Sequence, residues 1–284
     1  MKYLKKIGFL AVLFLLIAAC STEDEPLFQD EALELPPFDT MMADFDAFTD
    51  NSGSGKSVVS YLEKAPKSNW NLARAVIGTW NVTLFTTLAV PVTSFRSAFL
   101  HDPVRIGDDS WQWTYTVEGF GGEYTARLTG ELVEDIIVWE MYVSRSGIEA
   151  FDEFLWFMGE SARDGSSGHW ILNQGPNRQH AMLRIDWVRE MEEIGTIRYT
   201  WVREFTDDQS DDPYRNSYLE YGLIEGDYDA YFDAHVYEAD LQDFVDARIE
   251  WNRELYFGRI RAPHFYEDMD WHCWDGTGED VLCE

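Results

Sequence analysis

From Trp111 onward apolar and polar residues alternate, and this period of two restricts the chain to a largely β fold more tightly than any other feature. Trp111, Trp113, Tyr115 and Val117 share one phase, as do Leu183, Ile185 and Trp187, then Ile197, Tyr199 and Trp201, then Val245, Ala247, Ile249 and Trp251. Successive side chains of a strand point to opposite faces, so each run predicts a strand with one dry face. Arg184, Asp186, Arg248 and Glu250 fall in the other phase and are expected in water. Turn signals part the runs: "GFGG" at 119, "RSG" at 145, "RDGSSG" at 163, "QGPN" at 174, "EEIG" at 192 and "DDQSDDP" at 207. About eleven strands fit between 111 and 261. Connections this short suit hairpins, not crossover helices, which predicts an antiparallel meander.

The dry face of such a sheet needs a cover. Between 57 and 100, Leu72, Val76, Trp80, Leu84, Leu88, Pro91, Phe95 and Phe99 recur at spacings of four and three, a helical stripe that Ser68 would cap and Pro91 would kink. The β-branched residues of "TWNVTLFTTLAVPVT" pull toward strand instead, and helix is the preferred reading. Ala75 to Phe95 carries no charge, so a membrane span competes; its Thr, Ser and Asn residues, with Gly78 and Pro91, favour a buried helix. The expected fold is α+β, mostly β: a curved antiparallel meander sheet wrapping an N-terminal apolar helix. One domain is expected over 57–284, helical at 57–100, sheet at 110–275, and closed by a tail at 273–283.

Lys2, Lys5 and Lys6 precede an uncharged apolar run, Ile7 to Ala19, in the order of a secretory signal. Ile17-Ala18-Ala19-Cys20 resembles the lipobox of bacterial lipoproteins, which implies removal of residues 1–19 and lipid on Cys20. Thr22-Glu23-Asp24-Glu25 is similar to the acidic export signals of surface lipoproteins in Bacteroidota. The resemblance implies an outer-membrane, lipid-anchored protein on the cell surface, with the periplasmic face as the alternative. Residues 20–56 hold many acids, no Lys or Arg before Lys56, and the prolines Pro26, Pro36 and Pro37, so they read as an acidic, flexible tether. Phe28, Phe38, Phe45 and Phe48 within it are able to dock part of the tether on the domain.

Charge narrows the partners. The chain carries 52 acidic against 22 basic residues, a formal net charge of −30. Phosphate backbones need clustered Lys and Arg, so nucleic acid is excluded as a partner. With Cys20 assigned to lipid, Cys273 and Cys283 remain, and in an exported chain they are expected to form a disulfide that staples the C-terminus.

Signals for chemistry are sparse. "GSGKS" at 53–57 is not a P-loop, because Asp50 stands where the first glycine belongs and no apolar strand precedes it. No G-x-S-x-G elbow occurs, and the histidines at 101, 169, 180, 235, 264 and 272 lack zinc-ligand spacing. "DYDAYFDAH" would line up Asp227, Asp229, Asp233 and His235 if it were a strand, which makes the three aspartates weak candidates for a cation. No residue is nominated as catalytic and no cofactor is implied. The first expectation is therefore a non-catalytic binding or interaction module, meeting the membrane through lipidated Cys20 and an unknown protein, glycan or apolar ligand. An alternative is a carrier of an apolar ligand, since a curved sheet with a helix across its opening resembles the fold of periplasmic lipoprotein-carrier proteins. Gly78-Thr79-Trp80 also resembles the G-x-W of lipocalins, which would put a barrel strand there. A polysaccharide hydrolase with paired carboxylates is the third expectation.

Overall fold

The computed structural model describes residues 32–42, 69–119, 122–147 and 149–283. The expectations for Cys20, for Ser68 and for the "GSGKS" stretch lie outside them. A 3-10 turn, Phe38–Thr40, is followed by α1 (Asn69–Ala98) and then by one sheet. Its strands are β1 (Val104–Arg105), β2 (Ser110–Gly119), β3 (Gly122–Val133), β4 (Ile136–Arg145), β5 (Phe151–Ala162), β6 (Ser167–Gly175) and β7 (Arg178–Glu190). They continue as β8 (Glu193–Trp201), β9 (Tyr218–Leu223), β10 (Ala230–Glu238), β11 (Asp243–Trp251) and β12 (Gly258–Arg261). A short α2 (Pro263–Tyr266) precedes β13 (His272–Trp274) and β14 (Asp280–Val281). All neighbours pair antiparallel in chain order, with β1 and β14 at the two edges.

The sheet bends around the helix. α1 packs against β2 and β3 near one edge and against β12 and β13 near the other, so the strands between curve past it. The fold is thus the curved antiparallel sheet around an apolar helix that period two predicts. The sheet has fourteen strands, and the eleven of β2 to β12 occupy the stretch read from alternation. The lipocalin-like barrel is corrected in two ways: the sheet is open, and Gly78, Thr79 and Trp80 lie in α1. β-branched side chains disfavour a helix only by fractions of a kcal/mol each, and burial overrides that. Leu72, Leu88, Val92 and Phe95 are buried, and the helix continues through Pro91. Phe99, read into the same stripe, is 45% exposed just beyond the last helical turn. No described helix is long and apolar enough to cross a membrane.

Curvature leaves little room on the concave face, and the cross-strand register shows how large rings fit there. Along one row Trp111 faces Gly130, Gly130 faces Trp139, Trp139 faces Gly159, and Gly159 faces Trp170. A Cβ on Gly130 would lie 2.6 Å from the Trp139 ring, and one on Gly159 would lie 2.5 Å from the Trp170 ring. Each indole therefore lies across a neighbouring glycine, a device that relieves crowding and repays the glycine's lost contacts. Phe95 from α1 meets this layer, with ring centroids 5.4 Å from Trp170 and 6.0 Å from Phe157.

Residues 32–42, read as tether, pack into the domain in part. Thr40 and Met41 are fully buried, and Leu33, Leu35 and Phe38 pack against the core. The Trp170 indole N–H donates to Thr40 Oγ1 at 3.3 Å, and the Arg96 guanidinium lies 5.6 Å from the Phe38 ring. The flexible stretch expected over 20–56 is therefore interrupted by a docked segment whose apolar residues, Phe38 among them, find a place on the core.

Candidate functional site

Cys273 and Cys283 form the expected disulfide, with Cα atoms 5.3 Å apart. Its hairpin holds more than the chain end. The Asn69 backbone N–H donates to Asp280 Oδ1 at 2.8 Å, and the Asn69 amide donates to the Cys273 carbonyl at 2.9 Å. Tyr266 Oη donates to Asn69 Oδ1 at 2.8 Å. An acid from β14 thus satisfies an N–H at the start of α1, the role usually taken by a local cap.

The three candidate cation ligands are separated. Asp227 and Asp229 precede β10, and only Asp233 and His235 lie on it. Asp229 accepts from the Arg253 backbone N–H at 2.8 Å, and Asp233 pairs with Arg248 at 2.5 Å. Among the described residues no group of three or more His, Cys, Asp or Glu side chains is gathered to hold a metal ion.

On β8 to β12 the convex face carries ordered rows. Register aligns Arg198, Glu220, Asp233, Arg248 and Arg261, and beside them Thr200, Tyr218, His235 and Asp246. Two acids directly opposite, Glu220 and Asp233, would repel. Arg198 at 3.3 Å from Glu220 and Arg248 at 2.5 Å from Asp233 neutralise them from either side. Tyr231 lies over Gly222, where a Cβ would meet its ring, and its hydroxyl donates to Glu220 at 2.6 Å. Glu250, expected in water, is instead buried, because the guanidiniums of Arg248 at 3.0 Å and Arg259 at 2.5 Å close over it. The guanidiniums also cover rings: Arg198 at 3.6 Å over Tyr218, Arg248 at 4.1 Å over Tyr231, and Arg259 at 4.2 Å over Trp271. His235 is stacked between Tyr218 and Phe244, with Nδ1 2.7 Å from Asp246.

Burial pushes the Asp233 carboxyl above its usual range, Arg248 opposes the rise, and Glu220 and Glu250 add to it. A carboxyl that keeps its proton longer beside a second acid is what a polysaccharide hydrolase uses. Here both acids are held by arginines on an outward-curving face, not between the walls of a cleft. His169, on the outward face of β6, is shifted the other way, lowered by burial and by Arg184 against Glu160 and Asp186.

A second outward feature lies where β3, β4 and β5 end. A groove of about 460 Å³ is lined by Thr125, Ser144, Arg145, Ser146, Phe151 and Asp152. The pairing of β4 with β5 slips twice beside it, between Met141 and Tyr142 and between Val143 and Arg145. Gly147, Glu149 and Glu153 all have left-handed backbone, at φ 87°, 57° and 47°. Bulges and such residues re-aim side chains at sheet margins. Ser144 Oγ donates to Asp152 Oδ1 at 3.0 Å and accepts the Glu153 N–H at 2.9 Å. Arg145 pairs with Glu149 at 3.1 Å and lies 5.5 Å from the Tyr124 ring. Phe151 is the one aromatic residue of the lining, and behind the lining its ring meets the buried Tyr124 at 6.4 Å and Trp156 at 6.0 Å. Sequence reading misses this groove; its one signal is the "RSG" turn at 145.

Compared with known proteins, the chain matches no family model, no curated protein and no solved structure.

Proposed function

We propose that this chain is a cell-envelope lipoprotein, lipid-anchored through Cys20, whose domain acts as a non-catalytic binding or interaction module on the cell surface. The N-terminal pattern supports the anchor: two or three acyl chains on Cys20, at roughly 0.8 kcal/mol per buried methylene, would hold the chain to a membrane almost permanently. The Cys273–Cys283 pair suits an oxidising compartment outside the cytoplasm.

One observation carries the module reading. The concave face is occupied by the chain's own rings, with Trp113 and Trp139 at 5.9 Å and Phe157 and Trp170 at 5.3 Å, so contact with other molecules falls to the outward surface. Two measurements test this reading. Radiolabelled palmitate is expected to enter the full chain and to be lost in Cys20→Ala; label that persists in the variant would overturn the anchor. Mass spectrometry of the protein extracted from its own envelope is expected to find no apolar molecule in one-to-one amount beyond the acyl groups of Cys20. A stoichiometric enclosed lipid would transfer the function to the carrier class.

A further inference from the structure

We propose that the groove at the ends of β3, β4 and β5 binds a neutral oligosaccharide, a proposal that rests on the module reading and names its ligand class. The lining alternates in kind. Thr125 and Ser146 supply hydroxyls that donate and accept, the second oxygen of the Asp152 carboxylate accepts, and the Arg145 guanidinium, held on one side by Glu149, has further N–H groups to donate. Such a mixture matches the neighbouring hydroxyls of a sugar ring, each of which needs a donor and an acceptor at once. Phe151 adds an apolar face for the C–H side of that ring, and it is half-buried, not closed off by the core.

Other ligand classes fit less well. An apolar molecule would strip water from Ser144, Ser146, Asp152 and Arg145 without replacing their hydrogen bonds. A polyanion meets a chain of net charge −30, and beside the groove Arg145 is already paired with Glu149. The groove is shallow and open to solvent, and its volume of about 460 Å³ lies within the roughly 300–1,000 Å³ of small-ligand sites, enough for a short stretch of glycan. The groove is also set in advance: Ser144 is fixed by Asp152 and by the Glu153 N–H, so little order is lost on binding. Trp156, beside Phe151 at 6.0 Å, provides an intrinsic fluorescence reporter.

The test titrates the purified full-length chain in detergent with maltohexaose, xylohexaose, mannohexaose and a Lys-rich peptide, following tryptophan emission and calorimetric heat. Saturable binding of at least one sugar is expected, insensitive to salt and weakened about tenfold or more in Phe151→Ala and Asp152→Asn. Asp152 is exposed, so its variant keeps the test open where Phe151→Ala fails to fold. Thr200→Ala, on the outward face of β8, is expected to bind as the parent does. No saturable binding of any sugar at millimolar concentration would overturn the proposal, as would sugar binding that both groove variants retain. Binding of the Lys-rich peptide alone, lost in high salt and in Asp152→Asn, would overturn the ligand class while leaving the module reading intact.

Discussion

Asp212 shows how much one side chain decides. Its carboxylate is fully buried and accepts from the Trp201 indole N–H at 3.0 Å, from the Tyr214 N–H at 3.0 Å and from Arg203. Burial opposes its charge, and these donors outweigh burial, so its pKa lies below the usual carboxylate value. Asp212→Ala is expected to cost about 3 kcal/mol in urea unfolding, because it leaves the Trp201 indole N–H without its acceptor and Arg203 with only the more distant Asp207, at 4.0 Å. A carboxyl with a depressed folded pKa contributes stability above its unfolded pKa, near 3.9, and loses it as pH falls through the lower folded value. The gap between parent and variant should therefore close in acid. Asp233 has the opposite sign: its raised pKa means that ionisation works against the fold as pH rises. Asp233→Asn is expected to leave stability at neutral pH within about 1 kcal/mol of the parent or above it, since Arg248 keeps Glu250 as a partner. Neither role is legible in sequence. Asp207, Asp208, Asp211 and Asp212 look alike in "DDQSDDP", and only the strand that brings Trp201 and Arg203 alongside distinguishes the last. Gly159 is another such residue, ordinary in sequence, where alanine should cost about 3 kcal/mol or more because the Trp170 ring already fills the space.

Elements of the chain were legible in proportion to their length. The runs of β2, β7, β8 and β11 are long enough for alternation to fix which face is dry, and Trp113, Ile185, Ile197 and Ile249 are all buried as that phase requires. β1 and β14 have two residues each and carry no period. The groove escaped for a related reason: alternation tells which side of a strand is dry, not where its partner slips, and two slips between β4 and β5 build that site. The C-terminal hairpin was expected only to staple the chain end, and its hydrogen bonds reach the start of α1. Closing so short a loop contributes about 2 to 3 kcal/mol. Reduction of Cys273–Cys283 by a dithiol should therefore loosen Asn69 and the first turn of α1 first. Hydrogen exchange is expected to speed up there while the amides of β7 and β8 stay protected. Equal acceleration at both places would show that the hairpin supports the whole sheet and not the helix start.

At the scale of the molecule, the architecture follows from a count: a meander this long with one apolar face has to curl around something, and among the described residues α1 is the long helix that it meets. The docked segment at 32–42 was harder to foresee, because acidic and proline-rich composition argues for an extended chain and outweighs the few residues, Leu33, Phe38 and Met41, that dock. The net charge of −30 then sets two electrostatic effects against each other. Salt weakens the arginine pairs of the convex face, which stabilise the fold, and it weakens the repulsion among the excess acids, which opposes it. The pairs around Glu250 are mostly buried and are screened less, whereas the excess acids are exposed and are screened fully once the Debye length falls to a few Å, from about 10 Å at 0.1 M. Raising sodium chloride from low concentration to about 0.5 M is therefore expected to increase the urea midpoint. A midpoint that falls instead would mean that the ion pairs of the convex face outweigh the repulsion. In that case Arg259→Gln, which removes one clamp from Glu250, should flatten the fall.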